Sequence, residues 1–230
     1  GWRPGVSEGG KTLSARIVAV NPDGADARTW SIGVAARPAG LLAWFQFEAD
    51  GEGWATTTWK SGPYDPGVIT REDSGGNAGG CMRSQGSGAT NNQDTCNREG
   101  TVMTRAVSTE GRAGIRVEWD AVAALAPPPG ASGTGDCAVL EGTSDDKLVV
   151  YYSAHGIEGP WVLAAMRSEG GGLPGVWTHM ACDLAADAAV DDNARFALKF
   201  VWQFNTAADE GRIDNVSVWS AGAAEFRRGD

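Results

Sequence analysis

The sequence predicts an all-β protein in which two antiparallel sheets pack face to face, with a β-ribbon ahead of them at the N-terminus. Three observations carry this reading. Glycine is frequent (33 residues) and is joined by 10 prolines, a composition suited to many tight turns because glycine enters positive φ without steric cost. Extended segments in which polar and apolar residues alternate recur along the chain, about ten in all, each bounded by turn residues. No segment longer than eight residues holds a helical period. The nearest, ACDLAADAAVDDNARF at 181–196, is so rich in aspartate that it reads as an irregular link.

Taken in order, residues 11–20 (KTLSARIVAV) alternate, NPDGADA turns, and RTWSIGV resumes the extended pattern, which makes a β-ribbon. The stretch VSEGGKTLSARIVAVNPDG resembles the opening of cadherin-like and immunoglobulin-like bacterial repeats over about 30 residues. ARPAG at 36–40 reads as a linker. LLAWFQFEAD is an apolar strand ending in acids, and GEGWATTTW leads through a glycine turn into a second strand. From Lys60 to Gly100 the chain is rich in Gly, Asn, Asp, Ser and Pro, an excursion long enough to be functional or pinned. TVMTRAVST and GIRVEWDAVAAL, separated by EGRA, are expected to be adjacent antiparallel strands. APPPGASGTGDC interrupts the pattern. DKLVVYYSA, WVLAAMRS, VWTHMACDL, ARFALKFVWQFN and GRIDNVSVW then follow as further strands. This divides the chain into a ribbon and linker (1–40), a sandwich (41–222) and a polar tail (223–230).

Nineteen basic residues against 29 acidic ones give a net charge of −10, and no stretch gathers Lys and Arg into the stripe that phosphate backbones attract. Nucleic acid is therefore not an expected partner. No run of 18 apolar residues occurs, so no membrane-spanning helix is expected. The four cysteines, Cys81, Cys96, Cys137 and Cys182, lack CxxC spacing and a neighbouring histidine, which favours disulfides over zinc. Of three connectivities, Cys81–Cys96 with Cys137–Cys182 is preferred, and loops of this size stabilise a fold by about 2–4 kcal/mol each. Disulfides imply an oxidising compartment. The opening GWRPGVSEGG lacks the layout of a signal peptide, so the chain is expected to be a mature or excised part of a secreted or surface protein.

Candidate chemistry divides into catalysis and binding. Glu48, Asp50 and Glu52 have the E-x-D-x-E spacing of the lichenase-like glycoside hydrolases. On an extended strand alternate residues face one way, so Glu48 and Glu52 could flank a glycosidic bond. Gly51 weakens a strand where that scaffold must be rigid, and the flanking residues do not match that family. His155 and His179 are the only histidines, and no GxSxG elbow accompanies them. Glycine-rich GGNAGG and EGGGLPG lack the lysine of a phosphate loop. Binding is better served. Ten tryptophans either fill a core or stand as platforms for sugar rings, whose apolar C–H faces stack on indole. Trp59, Tyr64, Trp161 and Trp177 lie near loops, with Asn91, Asn92, Asp94 and Arg98 as polar partners for hydroxyls. Each has an alternative as core filler or solvated loop.

Four pieces, FEADGEGW, RAVSTEGRAGIRVEWDAV, DKLVVYYSAHGIEGPW and GRIDNVSVW, in this order from about Trp44 to Trp219, resemble the concanavalin-like and galactose-binding-like jelly rolls. That group includes carbohydrate-binding modules and the MAM and reelin-type adhesion modules. His155, where the pattern prefers Asp, and the PPPGASGTGDC insertion depart from it. The resemblance implies a structural calcium ion joining the first and last strands, with Glu48, Asp50 and Asp214 as ligands. The alternative is that Asp214 accepts backbone amides while the other two are solvated turn residues. The chain is thus expected to be a non-catalytic extracellular or cell-surface module binding polysaccharide or glycan. One alternative is an adhesion or surface-layer subunit that assembles through its N-terminal strands; another is a glycoside hydrolase using Glu48 and Glu52.

Overall fold

The computed structural model describes residues 12–21, 24–33, 38–60, 67–77, 79–86, 99–124, 146–168, 173–204 and 209–223. Residues 1–41 and 42–230 are separate compact units. In the first, β1 (Thr12–Asn21) and β2 (Gly24–Gly33) pair antiparallel from Thr12 opposite Gly33 to Asn21 opposite Gly24. The expected ribbon is present.

The rest of the chain carries β3 (Leu41–Phe45), β4 (Ala55–Lys60), β5 (Val68–Glu72), β6 (Cys81–Gln85), β7 (Glu99–Ala106), β8 (Arg112–Ala124), β9 (Lys147–Ser153), β10 (Val162–Ser168), β11 (Thr178–Asp183), β12 (Ala197–Phe204) and β13 (Glu210–Ala223). One sheet runs β10-β9-β12-β7-β4; the other runs β11-β8-β13-β6-β5, with β3 also paired to β13. The strand just before FEADGEGW, β3, therefore lies beside the strand of RIDNVSVW, whereas FEADGEGW itself is not a strand. Strict alternation explains why these segments extend: Leu198, Phe200, Trp202 and Phe204 of β12 and Ile115, Val117 and Trp119 of β8 are all buried, and one buried face per strand is what period-2 patterning encodes.

Between the sheets Phe200 meets Trp54 at 5.7 Å and Trp119 at 5.5 Å, both edge-on. Trp54 also meets Phe45 edge-on at 5.4 Å. Edge-to-face contacts place the positive ring edge against the negative face of the next ring. Tryptophan as core filler is thus the right account for Trp54, Trp119 and Trp202, whereas Trp44 is exposed.

The structure corrects several expectations. TVMTRAVST and GIRVEWDAVAAL are not a hairpin: β7 pairs with β4 and β12, whereas β8 pairs with β11 and β13. The turn between them crosses from one layer to the other, and Thr109 secures it by donating its hydroxyl to the carbonyls of Val190 (2.6 Å) and Asn193 (3.1 Å). Alternation identifies a strand but not its partner. The excursion between Lys60 and Gly100 contains two short strands, β5 and β6, rather than one loop. LLAWFQFEAD stops being a strand at Phe45; Phe47 and Glu52 have φ of +52° and +49°, so residues 46–54 turn. Glu48 and Asp50 consequently do not share one strand face. Cys81 and Cys182 are free thiols, each pushed up to about 11, chiefly by burial. Cys96 and Cys137 lie outside the described residues.

At the sandwich rim the Tyr152 hydroxyl donates to Asp187 at 2.5 Å, just before the 3-10 turn Ala188–Val190. That bond is the main reason Asp187 stays below its ordinary value of 3.8. Two outcomes follow from the packing. Phe200→Ala, which empties a site with no exposure, lowers stability by about 3–5 kcal/mol in denaturant unfolding. Tyr152→Phe costs about 1 kcal/mol at neutral pH. Because a depressed carboxylate contributes stability above its unfolded value and loses it as pH falls through the native one, the gap between Tyr152→Phe and the parent closes below about pH 4.

Candidate functional site

The core fixes which side chains of the five-stranded sheet face outward. With Leu148, Val150 and Tyr152 of β9 buried against the other sheet, Lys147, Val149 and Tyr151 take the opposite face. By the same parity β12 turns Lys199, Val201 and Gln203 outward. Register then lines these residues up across the sheet. Leu163 stands opposite Tyr151, Tyr151 opposite Lys199, and Lys199 opposite Thr104. A second row runs Met166, Val149, Val201, Val102 and Thr57. Leu163 and Met166, on the edge strand β10, are exposed at 55% and 49%.

Lys199 organises this face. Its ammonium lies over two rings, 4.3 Å from the centre of Trp161 and 4.7 Å from that of Tyr151. Both contacts are within the range in which a cation is held by a ring quadrupole. Desolvation pulls the Lys199 ammonium below its ordinary value. The three residues reach this point from different elements: Tyr151 and Lys199 are cross-strand neighbours, and Trp161 ends the loop that enters β10.

A second constellation covers the outer face of the six-stranded sheet. Asp120 of β8 lies opposite both His179 of β11 and Asp214 of β13. The Asn77 side chain donates to Asp120 at 2.9 Å while its backbone N–H donates to Asp214 at 2.8 Å. Asn215 repeats the arrangement, with its side chain on Asp120 at 2.8 Å and its backbone N–H on Asp214 at 2.6 Å. His179 Nδ1 adds a third partner to Asp120 at 2.9 Å. These bonds hold Asp120 below its ordinary value against the opposing effect of burial. Asp214 is instead pushed up to about 6, first by desolvation and further by the charges of Asp120 and Glu48. Glu48 folds over Gly79, where a Cβ would meet its Oε1 at 2.1 Å and displace the carboxylate, and the φ of +142° at Gly79 favours glycine there.

The residues singled out from the sequence are divided by this geometry. Trp161 joins the Lys199 cluster. Trp177 is half-buried ahead of β11, in the other sheet. Trp59 sits opposite Gly100 in register, with its side chain outside the described residues, as are Tyr64, Asn91, Asn92, Asp94 and Arg98. Of the three carboxylates expected to hold a metal, Glu48 and Asp214 are near enough to influence each other; Asp50 is exposed and accepts the Glu52 N–H at 2.6 Å. Among the described residues no three acidic, histidine or cysteine side chains converge as metal ligands. Glu52 turns back to accept the Gln46 N–H at 2.8 Å, so Asp50 and Glu52 cap their own turn while Glu48 lies against Gly79. His155 is exposed in the loop between β9 and β10. Tyr151, Lys199 and Gln203 escaped the sequence reading; alternation in DKLVVYYSA and ARFALKFVWQFN marks them as one set, but not as the outward one.

No family model and no curated relative matches the sequence. Solved structures do. A carbohydrate-binding module of the β-sandwich superfamily, described as promiscuous in specificity, aligns with 13% identity and a TM-score of 0.50, over 91% of this chain and 74% of its own. The chain is a jelly-roll β-sandwich. Two further matches are the CBM22-1 xylan-binding domain of Paenibacillus barcinonensis Xyn10C (11% identity, TM-score 0.46, 82% of this chain and 100% of that one) and TmCBM61 in complex with β-1,4-galactotriose (11%, 0.42, 74% and 89%). Identities this low establish the fold alone, because one sandwich hosts many functions. No helix among the described residues is long and apolar enough to cross a membrane.

Asn77→Ala removes a donor from the buried Asp120 carboxylate and loosens the segment that carries Gly79. It lowers stability by about 1–3 kcal/mol, read as a lower denaturant midpoint with an unchanged slope.

Proposed function

We propose that the outward face of the five-stranded sheet binds neutral polysaccharide or cell-surface glycan and does not cleave it. The observation that carries this is the Trp161–Lys199–Tyr151 cluster, set beside the exposed Leu163 and Met166. A pyranose ring has apolar C–H faces and a polar rim. Indole and phenol rings take the first by stacking, and lysine and glutamine take the second by hydrogen bonding. Lys199 bridges the two rings, so they enter binding already ordered and little rotamer entropy is lost. An ammonium with reduced hydration also has less water to give up when a hydroxyl arrives.

The sandwich shared with a carbohydrate-binding module suits this reading without deciding it. The turn in which Asp50 and Glu52 accept backbone N–H groups argues for binding over hydrolysis. The proposal includes a secreted or surface setting, and a calcium ion held by Glu48 and Asp214 with backbone carbonyls of their turns. Calcium favours hard carboxylate and carbonyl oxygens, and Asp214 sits among like charges that a cation would neutralise. Asp50 is not part of that set.

Affinity electrophoresis in xylan, β-glucan and galactan tests the reading. Retardation by at least one polymer is expected, with Trp161→Ala weakening it by at least about tenfold, or about 1.4 kcal/mol, and with no reducing ends released. Absence of retardation in all of them, or release of reducing ends that Glu52→Gln abolishes, overturns it. For the ion, a chelator lowers the melting temperature and added calcium restores it; an unchanged melting temperature removes calcium from the proposal.

A further inference from the structure

The outer face of the six-stranded sheet contains a groove of about 400 Å³, lined by Gly114, Arg116, Glu118, Asp183, Trp219 and their neighbours Ala185, Ser220 and Ala221. That volume lies within the range of small-molecule sites, about 300–1,000 Å³. None of these residues belongs to the Trp161 face, which lies on the other sheet.

The groove is assembled by register. Ile115, Val117 and Trp119 of β8 are buried in the core, so Arg116 and Glu118 face outward. Arg116 has Trp219 of β13 directly opposite on one side and Asp183 of β11 on the other. Trp219 is half-buried, and its indole N–H donates to the Ser217 hydroxyl at 2.9 Å, which satisfies the polar edge of the ring. Arg116, half exposed, pairs with Glu118 at 2.7 Å. At one end Gly114 abuts Ala221, where a Cβ on the glycine would come within 2.8 Å of the alanine Cβ. The walls there are made by small side chains.

We infer that this groove is a second saccharide-binding site, selective for neutral sugars, so that the sandwich holds glycan on both sheets. The inference rests on the reading of the chain as a glycan binder but not on the Trp161 face. The lining chemistry selects the ligand. Its one guanidinium is matched by Glu118 and outnumbered once Asp183 is counted, on a protein of net charge −10; sulfated, phosphorylated or uronic ligands are therefore disfavoured. The walls combine an indole with small apolar side chains, and a paired arginine and glutamate can donate to and accept from hydroxyls without a net charge change. An apolar wall beside paired polar groups suits a neutral sugar ring. Two sites on opposite faces would bridge separate polymer chains and raise avidity without any new contact.

Isothermal titration of the full chain with xylohexaose, cellohexaose and β-1,4-galactotriose, alongside the variants Trp219→Ala and Ala185→Trp, tests this. Ala185 is exposed, so its replacement fills the groove without disturbing the core and guards against a folding defect in Trp219→Ala. The expected result is two sites per chain for at least one sugar. Each groove variant reduces this to one, Trp161→Ala reduces it to the other one, and Trp161→Ala with Ala185→Trp abolishes binding. A single site that Trp161→Ala removes and Ala185→Trp leaves untouched overturns the groove while the first reading stands. A single site that only the groove variants remove supports the groove and overturns the Trp161 face. Absence of heat with all three sugars, and of retardation in the polymers, overturns both.

Discussion

The contact on which the rest of the molecule depends is the edge-to-face packing of Trp54, Phe200 and Trp119 between the sheets. A strand has two faces, and packing one against the opposite sheet turns the other away from that core. Once Phe200 is held between two indoles, Lys199 must point away from the core, and with it every residue in register beside it. The same holds for Trp119 and its sequence neighbours Glu118 and Asp120. Both outward constellations are thus consequences of aromatic packing that they never touch. The rings also bring large buried area, about 1.5–3 kcal/mol per apolar side chain, so the packing that orients the faces also helps hold the layers together.

The two outward faces differ in character because of what each must accommodate. On the five-stranded sheet the middle of the face is closely packed valine, with Val149 and Val201 at 4% and 8% exposure, and Tyr151 and Lys199 stand one row along the same two strands, with Trp161 at the entry to β10. On the six-stranded sheet polar groups run its width. Arg83 and Arg212 pair with Glu72 and Glu210 at one side, Asp120 and Asp214 share their asparagines in the middle, and Arg116 and Glu118 border the groove. Most of these groups are only partly exposed, where ion pairs contribute more than at a free surface but still recover only part of their desolvation cost. Asparagine resolves the worst of this, since Asn77 and Asn215 each hold two carboxylates apart while satisfying both.

Particular elements show how far the sequence could be read. ARFALKFVWQFN was legible as a strand because every second residue is apolar. GRIDNVSVW was legible because Val216 and Val218 alternate with polar residues, although a bulge between Asp214 and Ser217 shifts their parity from that of Ile213. The link that follows β11, from residue 184 to 196, was legible as irregular because aspartate competes for backbone hydrogen bonds, although residues 181–183 belong to the strand. TVMTRAVST and GIRVEWDAVAAL were misread as partners, since a short turn between two strands joins a hairpin or crosses between layers equally well in one dimension. FEAD was misread as the end of a strand because the turn at Phe47, where φ is positive, is held by a residue distant in sequence: Arg71 donates to the carbonyls of Phe47 and Glu48 at 2.7 and 2.6 Å.

What the sequence determined unaided was the all-β class and the longer alternating strands, because local alternation and turn chemistry act over a few residues; β5 and β6, short and set among glycines, were not among them. Only the tertiary structure decided which of two alternating faces meets water and which strands share a sheet. Those outcomes depend on pairings between residues about 50–100 positions apart, such as Tyr151 with Lys199 or Arg116 with Trp219, and non-local pairing has no signature within either segment alone.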